Sequence, residues 1–262
     1  MNELLKKIIE NKKSEIAFHR SLVPLKEMKQ RAADAEPARA FAGAIKSSTH
    51  RRKVIAEVKR ISPGSGFCRK EFDPAKLAIG YEAAGAAAIS VLTDTVYFGG
   101  SAHCLSLVKS AVKLPVLRKD FILDTYQVYE ARAMGADALL LMAINFDSKN
   151  RVDEFAGVAR ETGLELLFEI HDKKDIDLVP ASACVGINNR DFRDEKLKVD
   201  VEVTLKLAPL IRNAPLVVSE SGIGSAEMMD ELESAGAEAF LIGTALIKED
   251  DPGAALARLL VR

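Results

Sequence analysis

The chain has no tryptophan, only three cysteines and four histidines in 262 residues, and no surplus of either charge. It also lacks any apolar run near the roughly 20 residues that a membrane-spanning helix requires, so a membrane protein is not expected. Cys68, Cys104 and Cys184 are odd in number, far apart and outside any CxxC spacing. That argues against a disulfide framework or a zinc site and leaves buried or incidental thiols. His19, His50, His103 and His171 show no ligand spacing with one another or with cysteine, and no metal is expected. His171 lies two residues beyond Glu169 and is read as structural. With 37 basic against 38 acidic residues, the net charge of -1 gives no attraction for a polyanion, so nucleic acid is not an expected partner. The first twenty residues mix acids with bases and have no apolar core before a small-residue cleavage site, from which a cytoplasmic location is expected. No GxxxxGK[ST] occurs, and a nucleoside triphosphate is not indicated.

Against these absences stands an odd abundance: apolar runs that finish on a charge. IAEVKR (55–60) puts Glu57 and Lys59 two residues apart in a strand-like run, hence on one face. PVLRKDF (115–121) reaches Lys119, LELLFEI (164–170) reaches Glu169, and PLVVSESG (215–222) reaches Glu220. Ionised groups taken out of water cost several kcal/mol each unless paired, so a purely structural role explains them poorly.

An internal echo sets the architecture. YEAAGAAAISVL (81–92), ARAMGADALLLM (131–142) and LESAGAEAFLIG (232–243) each run from a helix end through glycine into an apolar strand, and ARETGLELLFEI (159–170) is a looser copy. Strands are predicted near 54–59, 88–92, 115–119, 138–142, 165–169, 184–188, 215–219 and 239–243. Helix starts are signalled by Asp73 before Pro74, by Asp124 ahead of Gln127 and by Ser225. Strict alternation with Val/Ile/Leu-rich strands implies a parallel sheet covered by helices, and eight units favour closure into a single (β/α)8 TIM barrel over an open doubly wound sheet. Residues 1–50, with apolar positions at Leu4, Leu5, Ile8 and Ile9, read as a helical extension of one or two helices. No heptad runs through it, which favours packing on the chain's own barrel over dimerisation. A monomer is expected, with a weak homodimer as the alternative.

In such barrels the reactive groups sit at the carboxyl ends of the strands. Glu57, Lys59, Lys119, Glu169, Asn188 or Asn189, Arg190, Glu220 and Ser221 all fall there, although a ring of barrel-closing ion pairs is the competing explanation. SESGIGSAEM (219–228) and LIGTALI (241–247) place glycines ahead of helix starts after strands seven and eight, where backbone N–H groups and helix dipoles suit a phosphate.

IAEVKR with SPxSG, SVLTD with YFGG, PVLRKDFI, LLFEIHD, GINNRD, VSESGI and LIGTALI resemble, in order and strand position, the motifs of the indole-3-glycerol phosphate synthase family. The resemblance spans nearly the whole chain, including an extension that in the family packs over the barrel. It implies cofactor-free ring closure of 1-(2-carboxyphenylamino)-1-deoxyribulose 5-phosphate, a small-molecule phosphosugar, to indole-3-glycerol phosphate with loss of carbon dioxide and water. Lys119 matches the family's general acid, and Lys59 and Glu169 match the dehydration pair, with the division between the two lysines left open. Glu57 matches the residue that charges and orients the lysines, while Asn188 and Glu220 match polar partners of the sugar and the lysine network. Ser62, Ser221, Gly222, Leu241, Gly243 and Thr244 match substrate- and phosphate-binding loops. Phe98 and Phe121 match the aromatic wall of the anthranilate ring, and Arg190 matches a pocket residue or a loop salt bridge.

Two departures stand out. Gly64-Ser65 replaces the family's common Ser-Lys, and Thr95-Val96 stands where charges are frequent, which implies altered affinity and loop kinetics. The competing functions are a phosphoribosylanthranilate isomerase-like barrel, which would want a Cys/Asp pair that strands one and three do not offer, and a non-catalytic phosphate-ligand sensor.

Overall fold

Three helices precede the first strand: α1 (Glu3–Leu22), α2 (Leu25–Ala33) and α3 (Phe41–Ser47). The computed structural model describes residues 2–261. There follow β1 (Val54–Val58), α4 (Pro74–Ala84), β2 (Ala88–Leu92), α5 (Ala102–Ala111), β3 (Val116–Lys119), α6 (Tyr126–Ala133), β4 (Ala138–Met142), α7 (Lys149–Glu161), β5 (Glu165–Ile170), β6 (Cys184–Asn188), α8 (Glu202–Leu207), β7 (Val217–Glu220), α9 (Ala226–Ser234), β8 (Ala239–Ile242), α10 (Thr244–Ile247) and α11 (Pro252–Leu260). These eight barrel strands are parallel, each beside its successor, and β8 pairs back on β1 to close the barrel, while Ile61–Ser62 and Phe67–Cys68 form a small antiparallel ribbon in the loop after β1. No described helix is long and apolar enough to cross a membrane.

Local chemistry explains the punctuation. Asp73 accepts the Lys76 N–H ahead of Pro74, and Ser225 accepts that of Met228, as an N-cap should. Gly85 ends α4 at φ 99°, a left-handed conformation that costs glycine little, and the echoed segments end their helices likewise at Gly135 and Gly236. The Asp124–Gln127 signal works with a different division of labour: Asp124 accepts from Tyr126, while the Gln127 side chain accepts the N–H groups of Leu123 and Asp124.

Two expectations need correction. The extension holds three helices rather than one or two. The connection from β5 to β6 contains no α-helix but only a 3-10 segment, Lys173–Leu178, fixed by a capping box between Asp172 and Asp175.

Alternation along the strands builds two cores. Val54, Ala56, Ile89, Leu139, Phe168 and Phe240 point outward beneath the helices. Ile55, Ala88, Leu117, Leu140, Leu167, Val218 and Leu241 fill the lumen, and that column continues into Phe41 and Ile45 of α3 and Leu5 and Ile8 of α1. The extension thus packs on this barrel at both ends. Below, the Glu165 carboxylate at the start of β5 accepts the N–H groups of Phe41 and Ala42, anchoring α3 under the strands' amino ends. Above, α1 crosses the mouth: Asn2 donates to the Asp194 carbonyl after β6, and Arg20 pairs with Asp124 after β3.

Candidate active site

A lumen-facing polar residue reaches solvent only where its strand ends, and five strands bring such residues to one place. Lys119 is the hub. Its Nζ lies 2.5 Å from Glu220 Oε2, 3.8 Å from Glu57 Oε2 and 3.9 Å from Glu169 Oε2, while Lys59 Nζ lies 2.5 Å from Glu57 Oε1. Such a ring of carboxylates around one ammonium is not a set of barrel-closing pairs between neighbouring strands: β3 and β7 lie on opposite sides of the closed sheet.

Backbone economy makes the approach possible. A Cβ on Gly243 would stand 2.2 Å from Glu57 Oε1 and 2.9 Å from Lys59 Nζ, and one on Gly186 would stand 2.2 Å from Glu220 Oε1. Any side chain at either position would displace the charged cluster.

Three carboxyls face two lysines, and the shortfall falls on one acid. Burial raises the pKa of every carboxyl here, but Lys59 and Lys119 hold Glu57 below the usual carboxylate range, and His171 with Lys119 does the same for Glu169. For Glu220, burial and repulsion from Glu169 and Glu57 outweigh Lys119 and push it up to about 7. Burial disfavours the charge on Lys119, yet Glu220, Glu57 and Glu169 raise its pKa and keep it an ammonium. The floor therefore holds a fixed cation beside an acid that divides its proton near neutrality.

Above the floor opens a cavity of about 350 Å3. Of the residues expected in the site, Glu57, Lys59, Ser62, Phe98, Lys119, Asn188, Arg190, Ser221, Gly222, Leu241, Gly243 and Thr244 line it. Glu169 and Glu220 lie just beneath, fully buried, and meet it through Lys119. Phe121 is displaced from its expected place: it is buried behind the wall, 6.2 Å from the Phe98 ring and 5.7 Å, edge-on, from Phe192. Phe192 is the wall residue that the sequence did not disclose, together with Leu197, Ile223 and Lys248. All four lie in loops or at a helix end, where no periodicity flags them.

Of the two asparagines after β6, Asn188 faces the cavity. Asn189 turns away and donates to the Ser221 carbonyl, while its own Oδ1 accepts from Thr204. That contact pins Ser221, which with Gly222 forms two successive left-handed residues at φ 70° and 80°. Ser62 and Thr244 meet through their hydroxyls at 3.1 Å, tying the loop after β1 to that after β8. Arg190 forms no salt bridge among the described residues; its guanidinium fills the space beside Gly64, where a Cβ would lie 1.6 Å from Nη1. The loop that carries Gly64 and Ser65 therefore gains a cation from the segment after β6. Thr95 and Val96 are exposed and line none of this cavity, so the expectation that they alter substrate affinity finds no contact to carry it.

His171 corrects another expectation. Its side chain is fully enclosed with Nε2 3.2 Å from Glu169 Oε1, and although burial lowers its pKa, Glu169 raises it further. It belongs to the charged cluster rather than to a separate structural contact. Among the described residues no group of three His, Cys, Asp or Glu side chains could hold a metal ion. Cys184 sits low in the lumen with its thiol pushed up to about 12 by burial, which makes it a poor nucleophile.

A family model for indole-3-glycerol phosphate synthase matches residues 5–259. A relative from Laribacter hongkongensis (strain HLHK9), named indole-3-glycerol phosphate synthase, is 43% identical over 264 residues, covering 99% of either chain. Among solved structures, 3-hexulose-6-phosphate synthase from Salmonella typhimurium superposes with a TM-score of 0.63 at 14% identity, over 79% of this chain and 96% of that one. N-acetylmannosamine-6-phosphate 2-epimerase from Clostridium perfringens gives 0.58 at 16% identity, over 79% and 90%. At these identities the two structures speak for the fold alone.

Proposed function

Because the chain belongs to the indole-3-glycerol phosphate synthase family, we propose that its mouth catalyses ring closure of 1-(2-carboxyphenylamino)-1-deoxyribulose 5-phosphate to indole-3-glycerol phosphate in tryptophan biosynthesis. Carbon dioxide and water leave, so the reaction is that of a carbon–carbon carboxy-lyase. The observation that carries the reading is Lys119, an ammonium held at the floor of the cavity by Glu220, Glu57 and Glu169.

In the first step the ring carbon that bears the carboxylate attacks the sugar carbonyl carbon, and Lys119 gives a proton to the carbonyl oxygen as negative charge develops there. Breaking the bond to the carboxylate returns its electron pair to the ring, which restores aromaticity as carbon dioxide departs. The new hydroxyl then leaves with a proton from Lys59, and Glu169 removes the proton whose loss completes the indole double bond. Glu57 lies within reach of both lysines, pairing with Lys59 and helping to keep Lys119 charged between steps. Asn188 and Glu220 complete the polar floor.

The phosphate sits against Ser221, Gly222, Gly243 and Thr244, where no side chain caps the start of α10, with Ser62 and Lys248 at the rim. Phe98 and Phe192 hold the anthranilate ring, backed by Phe121, and Arg190 faces the substrate's anionic groups. We expect a monomer that acts on a small phosphosugar without a cofactor.

The absence of tryptophan makes the test clean. Mixing the protein with the carboxyphenylamino-deoxyribulose phosphate should raise indole emission from a dark background, and no rise at saturating substrate would sink the reading. Lys119→Ala should lower turnover by roughly 10^2 to 10^4 with an unchanged far-ultraviolet spectrum. Near-native turnover in that variant would remove Lys119 from the role of acid.

A further inference from the structure

Lys12 stands on α1, outside the cavity, and has no exposed surface. Its Nζ lies 2.9 Å from Asp120 Oδ1, 3.3 Å from Asp94 Oδ2 and 3.0 Å from Glu15 Oε2, and the side chains of both aspartates are fully enclosed. An apolar side chain would serve a helix contact at least as well, because desolvating such charges commonly offsets their attraction. The cluster therefore calls for a reason beyond stability.

What the aspartates hold supplies one. Asp120 directly follows Lys119; it accepts the Phe121 N–H at 2.8 Å, the Thr93 hydroxyl at 2.7 Å and the Arg118 guanidinium at 3.0 Å. Thr93 in turn donates its N–H to the Lys119 carbonyl at 3.1 Å. Asp94 accepts the Tyr97 N–H on its side chain and the Gly100 N–H on its carbonyl, each at 2.8 Å, and so folds the loop that presents Phe98. Lys12 is shared by the two loops, one behind the ammonium at the floor and one behind the aromatic wall. Burial works against its charge, and Asp120, Asp94 and Glu15 outweigh it. Arg118 extends the cluster to Glu130, which His19 of α1 also meets at 2.7 Å.

We propose that Lys12 is a positioning residue: its ammonium, clamped between Asp120 and Asp94, sets the Lys119 backbone and the Phe98 loop for reaction, so that α1 acts on turnover without touching substrate. This rests on the reading of Lys119 as the acid of ring closure.

The test compares the full chain with Lys12→Met and Asp94→Asn, by steady-state kinetics well below all melting temperatures and by amide hydrogen exchange. Lys12→Met should lower kcat about tenfold or more and speed exchange at Tyr97, Gly100 and Phe121 about tenfold. Asp94→Asn leaves Lys12 on Asp120, and should raise KM about threefold or more, with kcat within about twofold and Phe121 exchange unchanged. A Lys12→Met protein that melts earlier but keeps kcat and KM within about twofold overturns the proposal, since a merely structural contact does that. Should Lys12→Met fail to fold, Asp94→Asn decides, and an unchanged KM overturns it. If the parent chain forms no indole product, the functional reading falls separately. Exchange then judges the clamp alone, and unaltered rates at the three amides refute it.

Discussion

At the scale of single residues, His171 shows how a neighbour sets a proton's address. Glu169 must be ionised to act as a base, and it is faced by His171 at Oε1, by Lys119 at Oε2 and by Asn188, with Glu57 and Glu220 across the lysine. The His171 ring is itself faced by Asp191 and Arg193, and its backbone N–H is taken by the Asp175 carboxylate. His171→Asn removes a cation that keeps Glu169 ionised, so the acid limb of kcat/KM should move to higher pH. The loss should be several-fold at about pH 6 and small at about pH 8. A uniform loss across the profile would show that His171 only fills space. The residue was within reach of sequence reasoning, because alternation from Glu169 puts position 171 on the same lumen face. Phe192 and Lys248 were not, since loop and helix-end positions carry no period from which a direction can be read.

At the scale of elements, strands were legible and the pieces that close the barrel's ends were not. The short, mainly apolar segments AISVL, ALLLM and CVGIN give β2, β4 and β6 to the residue. The run at 215–219 begins two residues later in the structure, because Pro215 has no N–H for the ladder and stands ahead of β7. The short α3 hides in a turn-rich stretch, since seven residues are too few to show a helical period. Its stability comes from outside, from Glu165, whose carboxylate meets the positive end of the helix. Glu165→Ala would leave two N–H groups unpaired and cost about 2 kcal/mol, lowering Tm by roughly 4–8 °C for a chain of this size. Because Glu165 lies at the far end of the strands from the cavity, KM should stay at the parent value. An unchanged melting temperature would mean that α3 is held by its apolar face alone.

At the scale of the whole molecule, the charged floor makes stability depend on pH in a particular direction. Glu57, Glu169 and Asp120 have lowered folded pKa values, so the stability they add is present above their ordinary values and is lost only as pH falls through the folded ones. Glu220 is opposite in sign. Raised from 4.5 to about 7, it favours the folded chain below its ordinary value, and that advantage fades as pH rises through neutrality, amounting to roughly 3 kcal/mol. His171, also raised, fades in the same direction. Urea midpoints should therefore fall between about pH 5 and pH 8, and Glu220→Gln should flatten most of that fall. Equal slopes in the two proteins would mean that Glu220 is ionised throughout.

The chain's two ends of the barrel column also impose an order in time. The first 47 residues supply both its lid and its plug, yet the partners of α1 at Asp94, Asp120 and Asp124 and that of α3 at Glu165 are encoded far downstream. A ribosome adding 5–20 residues per second needs on the order of ten seconds to travel from the end of α3 to Glu165. Until the column is complete, the apolar faces of Leu5, Ile8, Phe41 and Ile45 have only part of it to cover, which makes this segment of the nascent chain a natural client for chaperones.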